Sequence, residues 1–336
     1  GLVGSEMCIR DSPTTAALAS EIRDDEQEIW RAAQGKGLHE TASNAVQVTK
    51  HVLFKTVFPV QKNVSEWMGD TRVLNGERYY VLQEQVNAIA AELKPGDILL
   101  QRREWFLSNL GLPGFWSHAA LYVGSPKERA AYFDDPSVSA WLAGMDGEHA
   151  AFDALLQNVH PEAYRKNIAM DAHGHQPRVL EAMSEGVVFT SREHLATTDS
   201  LVVLRPKLSR VEIAKALLKA FGYSGRPYDF DFDFRTDTEL VCTELVFKAY
   251  EPEQGVRGIR FPLHSVAGRP VITANDIARQ FDHDYGKPEQ QLDLILFLDG
   301  NEGDGKASKA SLDGFRASWR RPKWHILTQN TPFASR

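Results

Sequence analysis

The chain has 336 residues, 43% of them hydrophobic and 25% charged, an ordinary globular composition long enough for one large domain or two modest ones. Its 38 Lys and Arg against 45 Asp and Glu leave a net charge of −7, which argues against general nucleic-acid binding. No apolar run approaches the roughly 18 residues of a membrane span, and two cysteines, Cys8 and Cys242, exclude a disulfide framework or a Cys-rich zinc site.

Residues 1–12 fit no helix or strand template and carry no targeting logic. They resemble a translated adaptor sequence more than a natural start and are set aside as non-native. No compartment is assigned, because the missing leader is then uninformative, and Cys242 is left as the thiol of interest. Residues 13–93 read as a helical amino-terminal segment. Ala, Leu, Ile and Trp among charged residues predict an amphipathic helix over 14–34. Val46, Val48, Val52, Leu53, Val57 and Val60 predict a second helical region over 41–69, interrupted near Pro59. Tyr80, Val81, Val86, Ile89, Ala90 and Leu93 predict a third over 77–93.

Lys94-Pro95-Gly96-Asp97 is a turn, after which Ile98, Leu99 and Leu100 start a short buried strand. Residues 118–123 form a second apolar run, closed by Gly124. The polar span 125–177 reads as an insertion with some helix around 148–158. Strands are expected over 178–182 and 186–190, joined at Ser184-Glu185-Gly186, and over 200–205, ended by Pro206. Helices are expected over 210–221 and 239–250, and a late strand over 292–298. Residues 300–312, rich in Gly, Asp and Lys, are expected to be a flexible loop within a tail over 301–336. Helices, then short strands, then helices predict an α+β fold with a mostly antiparallel sheet.

Three residues stand out chemically. Cys242 lies near the start of a helix, where unpaired N–H groups and the positive dipole end favour a thiolate. His118 opens an apolar strand, from which it can point into a cleft and act as a base. Glu181 places a charge in the short strand Arg178-Val179-Leu180-Glu181-Ala182, where it can orient an imidazole. Each has a blander reading alone: a buried small hydrophobe, an edge histidine, a solvent-facing strand residue. Arg226 through Phe234 alternates Asp and Phe, which suggests an extended segment, either half-buried strand or cleft wall.

Three segments resemble the permuted papain-like amidases, the YiiX/YaeF-like branch related to NlpC-type cell-wall peptidases and lecithin:retinol acyltransferase. They are Pro95-Gly96-Asp97-Ile98-Leu99-Leu100, Trp116-Ser117-His118-Ala119-Ala120-Leu121-Tyr122-Val123-Gly124, and Tyr228-Asp229-Phe230 followed by Val241-Cys242-Thr243-Glu244-Leu245-Val246. The order His, acid, Cys is what a permuted fold implies. The resemblance covers about residues 94–300 and implies a circularly permuted papain-like (NlpC-type) domain with a small antiparallel sheet. It implies Cys242 as nucleophile and His118 as general base. Glu181 takes the third position more loosely, with Asp199 and Asp233 as alternatives. Tyr228 and the Cys242 N–H are the implied oxyanion donors. Glu244 is read as a favourable charge in the first helical turn.

The expected activity is thiol hydrolysis of an amide or ester in a small-molecule, peptide or lipid-like substrate, with acyl transfer as a variant. Trp105, Phe106, Leu112, Phe115 and Trp116 lean toward an acylated substrate. No cofactor is implied, since neither a Walker A motif nor a dinucleotide fingerprint is found. Asp171-Ala172-His173-Gly174-His175 invites a zinc reading, but three converging ligands are not evident and no metal is assigned. A non-enzymatic module on the same fold is the rival class.

Overall fold

The computed structural model describes residues 79–103, 114–145, 151–183, 185–227, 241–266, 269–301 and 303–321. The helices expected over 14–34 and 41–69, Cys8, Tyr228 and Asp233 lie outside the described residues.

Seven strands form one antiparallel sheet in the order β4-β3-β2-β1-β5-β8-β9. They are β1 (Asp97–Arg102), β2 (His118–Tyr122), β3 (Pro177–Met183), β4 (Gly186–Ser191), β5 (Ser200–Pro206), β8 (Leu292–Asn301) and β9 (Lys306–Lys309). A separate ribbon pairs β6 (His264–Val266) with β7 (Arg269–Val271). The fold is α+β, as expected.

Both faces of the central strands are buried, which is why they read as unbroken apolar runs rather than alternating ones. Ile98, Leu100, Ala119, Leu121, Val202 and Leu204 meet the helices α6 (Arg210–Phe221), α7 (Cys242–Tyr250) and α8 (Ala274–Asp284) in one core. Leu99, Ala120, Tyr122, Val179 and Val203 form a second core with Tyr80, Val81, Val86, Ile89 and Leu93. The segment from 79 to 93 therefore closes one face of the sheet. It contains a single short helix, α1 (Gln83–Ala88), in place of the longer one predicted over 77–93. Tertiary pairing overrides periodicity there: Val81 N–H donates to the Thr198 carbonyl at 3.1 Å, and the Ala307 N–H donates to the Tyr80 carbonyl at 2.6 Å.

The span 125–177 is more helical than expected, with α2 (Pro126–Tyr132), α3 (Pro136–Ala143), α4 (Phe152–Val159) and α5 (Pro161–Ile168). Three of the four start with proline at the first helical position, where its missing N–H is not needed. Helices of seven or eight residues are too short to show a clear period, so the signal was in the starts. The loop expected over 300–312 is instead a hairpin: β8 runs to Asn301 and pairs with β9. Helix α9 (Leu312–Ser318) follows, and buries Phe315 against Trp116 and Phe297. Helix α8, the β6–β7 ribbon and α9 were not anticipated.

The turn before β1 requires glycine. Gly96 has φ of 95°, and a Cβ there would lie 2.3 Å from Ile213 Cγ2 and 3.0 Å from Tyr250 Oη. Gly96→Ala is expected to cost about 2–4 kcal/mol, from the left-handed backbone and the overpacked contact together. A urea titration would show it as a lower midpoint at constant slope. A loss below about 0.5 kcal/mol would mean that the turn relaxes freely.

Candidate active site

Cys242 is the first residue of α7, after an extended Val241. Leu245, Val246, Ala249 and Tyr250 recur at helical spacing and are buried, which fixes the face that α7 turns to the core. The helix is tied at both ends. Thr243 Oγ1 donates to the Ile272 carbonyl at 2.7 Å, and Tyr250 Oη donates to the Gly96 carbonyl. First-turn N–H groups have no intrahelical acceptor. The backbone N–H groups of Thr243 and of Ala119 in β2 both act to favour the Cys242 thiolate.

His118 opens β2 opposite Gln101 of β1. Leu121 pairs with Leu180 of β3, so one further step sets Glu181 beside Ala120. The two-residue repeat then puts the Glu181 carboxylate on the face that carries His118. Glu181 Oε2 lies 2.7 Å from His118 Nε2. A carboxylate only accepts, so Nε2 carries the hydrogen and Nδ1 is left for Cys242. His118 is hydrogen-bonded to the thiol as well. The structure thus brings Cys242, His118 and Glu181 together from three separate elements.

The electrostatics follow from those contacts. Burial alone would raise the Cys242 thiol, but the His118 charge and hydrogen bond pull it below its ordinary value. Burial alone would lower His118, yet the Cys242 thiolate and the Glu181 hydrogen bond push it up from 6.5 to about 9. Burial likewise opposes the Glu181 charge, and the hydrogen bond from His118 and the charge of Arg103 hold it far below the usual carboxylate range. The arrangement favours a thiolate–imidazolium pair at neutral pH. The folded state gains from His118 fully below about 6.5, and loses that gain as pH rises through about 9. The Glu181 contribution is whole above about 4.5 and is lost only as pH falls far below that value.

Of the alternative acids, Asp199 is buried ahead of β5, and its N–H donates to the Arg102 carbonyl at 2.7 Å. Glu244 sits in the first turn of α7, as expected, and is buried there. Asp97 of the Pro-Gly-Asp turn has a structural role, taking a bidentate Arg205 at 2.8 Å on both oxygens. Asp171 accepts the N–H groups of His173 and His175 at 2.8 Å each, so its carboxylate closes that turn.

Sequence reasoning missed the outer partners of Glu181. Thr190 Oγ1 of β4 donates to Glu181 Oε1. Arg103 Nη2 lies 3.5 Å from Glu181 Oε2 and 3.1 Å from His194 Nε2. No local motif marks these residues. The one hint was a run of polar side chains, Gln101-Arg102-Arg103, continuing a buried strand.

Compared with known families, residues 92–293 match the permuted papain-like amidase enzymes of the YaeF/YiiX type, peptidase family C92, over more than half of the chain. The chain belongs to this family. The permuted papain-like fold and the amidase/peptidase class follow from that membership. Among solved structures, the metalloprotein YiiX of Escherichia coli O157:H7 is similar at 17% identity, covering 66% of this chain and 97% of that one with a TM-score of 0.32. No curated protein matches. Among the described residues, no helix of this C92-family chain is long and apolar enough to cross a membrane.

Proposed function

We propose that the chain is a cysteine-dependent hydrolase of amide or ester bonds, with Cys242 as nucleophile, His118 as general acid and base, and Glu181 as the residue that orients His118. The observation that carries this reading is the 2.7 Å contact between Glu181 and His118 Nε2, which leaves Nδ1 available to a thiol at a helix start. The Cys242 thiolate attacks the carbonyl carbon. The oxyanion gathers at the first-turn N–H groups of α7, including that of Cys242. His118 passes its Nδ1 proton to the leaving amine or alcohol as the tetrahedral intermediate collapses to a thioester. Water, giving its proton to His118, then attacks the thioester and restores the thiolate. Another acceptor in place of water makes the same site an acyltransferase.

The substrate is an acyl amide or ester, of peptide or lipid-like character. The aromatic lean toward acyl chains is weaker than the sequence suggested. Phe115 and Trp116 are core side chains, and Trp116 Nε1 donates to Ser318 Oγ at 2.9 Å. Trp105, Phe106 and Leu112 lie outside the described residues.

The test is iodoacetamide labelling of Cys242 across pH, read by mass spectrometry so that Cys8 is scored apart. Wild-type labelling is expected to stay fast well below the free-thiol value of about 8.5. His118→Ala is expected to slow it about tenfold near pH 6.5. A free thiol there is roughly 1% ionised, and the greater nucleophilicity of the more basic thiolate restores about half of that loss on a logarithmic scale. An ordinary thiol titration, unchanged in His118→Ala, would remove this reading and favour the non-enzymatic module.

A further inference from the structure

We propose that Arg103 is a positioning residue of this site, a cation clamped between Gln101 and His194 against the Glu181 oxygen that His118 uses, where its charge opposes that of the imidazolium. The inference rests on the Cys242–His118–Glu181 reading above. Arg103 follows β1 directly, and its side chain is 13% exposed. Its Nη2 lies 3.0 Å from Gln101 Oε1, 3.1 Å from His194 Nε2 and 3.5 Å from Glu181 Oε2, and its Nε lies 3.3 Å from Gln101 Oε1. A guanidinium only donates, so each facing atom is an acceptor. His194 is thereby neutral with its proton on Nδ1, the Gln101 amide is turned oxygen-first toward Arg103, and Glu181, held far below the usual carboxylate range, is ionised.

Gln101 shows what this clamp overrides. Its Nε2 is buried with no hydrogen-bond acceptor among the described residues. An orphaned donor costs about 1–3 kcal/mol, and buried polar groups are rarely left so. Flipping the amide would set its NH2 group against the guanidinium. Holding Arg103 in place outweighs satisfying the amide.

Glu181 is pinned on both oxygens. Thr190 holds Oε1, while His118 and Arg103 share Oε2. Arg103 therefore stands on the same oxygen that aims the imidazole. It also sets a second positive charge near the imidazolium, opposing the pull of the Cys242 thiolate. Among the described residues, the other groups facing this cluster are Cys242 from α7, His194 from the 3-10 turn Arg192–Ala196, and Glu185 from the β3–β4 turn, which acts on His194 through its charge.

The experiment is a 15N-histidine NMR titration of the full chain, following the His118 midpoint without substrate. Arg103→Met is expected to raise that midpoint by about one pH unit, since it removes a like charge within a few ångströms in a buried site. Arg103→Lys, which keeps the charge, is expected to restore it. An unmoved midpoint in R103M, or the same rise in R103K, would overturn the proposal. If R103M loses its native near-UV dichroism, His194→Leu is read instead. It removes the Nε2 acceptor at a side chain 29% exposed and is expected to move His118 the same way by a smaller step. No movement there would also overturn the proposal. The two readings fail separately. A flat His118 response leaves the wild-type Cys242 labelling profile untouched, whereas ordinary Cys242 labelling beside a shifted His118 removes the hydrolase and keeps the clamp.

Discussion

Cys242→Ala and His118→Ala are each expected to lower hydrolysis by about 10⁴-fold or more, and the double variant is expected to lose no more than the worse single. Residues that work as one unit fail as one unit, because either deletion removes the whole nucleophilic path. The geometry makes them such a unit. His118 meets Glu181 through Nε2 and the thiol through its other side, so neither Cys242 nor His118 has a substitute among the described contacts. Glu181→Gln is expected to fall between wild type and these variants. It keeps an acceptor for Nε2 but loses the charge that stabilises the imidazolium. Turnover of p-nitrophenyl butyrate and of a matching acyl p-nitroanilide gives the readout. Activity in Cys242→Ala within about tenfold of wild type would place the chemistry elsewhere.

Arg129→Met is expected to destabilise the fold by about 3–5 kcal/mol, a large share of a typical stability of about 5–15 kcal/mol. The Arg129 guanidinium is buried at the start of the helical span after β2. It donates to the Gly124 carbonyl at 2.8 Å, the Val123 carbonyl at 3.3 Å and Asn167 Oδ1 at 2.8 Å, and pairs with Asp153 at 2.5 Å. Removing it strands a carboxylate and several carbonyls at once. Asn167 Nδ2 in turn donates to the Pro177 carbonyl at 3.1 Å, so the same cluster joins both ends of α2–α5 to β2 and β3. Urea unfolding checks the value, and Arg129→Met with Asp153→Ala should cost less than the two singles added. A loss under about 1 kcal/mol would show that the span is anchored by its apolar contacts alone. Since β2 and β3 carry His118 and Glu181, the weakened variant is also expected to label Cys242 with a less depressed pH profile.

Much of the framework was legible in the sequence for local reasons. Helix α6 was readable to the residue, because Ser209 and Glu212 form a capping box and the apolar positions recur at helical spacing. The strands β1, β2 and β5 were readable as short apolar runs bounded by turn residues, and β3 and β4 as two short Val-containing segments about a hairpin turn. Elsewhere composition misled. Gly, Asp and Lys over 300–312 read as a flexible loop, yet the Asn301 side chain takes the Gly303 N–H at 2.9 Å, and the chain turns back as β9 to bury Ala307.

The sequence by itself determined which residue types were available and where each lies along its element. Cys242 sits at a helix start, His118 at a strand start, and Glu181 is a charge inside an apolar strand. Those are properties of a few consecutive residues, and capping, turn and periodicity rules act over that range. Only the tertiary structure decided which acid meets His118. Asp199 and Glu181 are both buried acids, and the β2–β3 register is what puts Glu181 on the His118 face; a shift of one residue would turn its carboxylate to the other face. It also decided that Arg103, Thr190 and His194 surround Glu181, since these come from the end of β1, from β4 and from a 3-10 turn. Hydrogen bonds and charge act over a few ångströms in space, and no pattern along the chain records which distant residues will share that space.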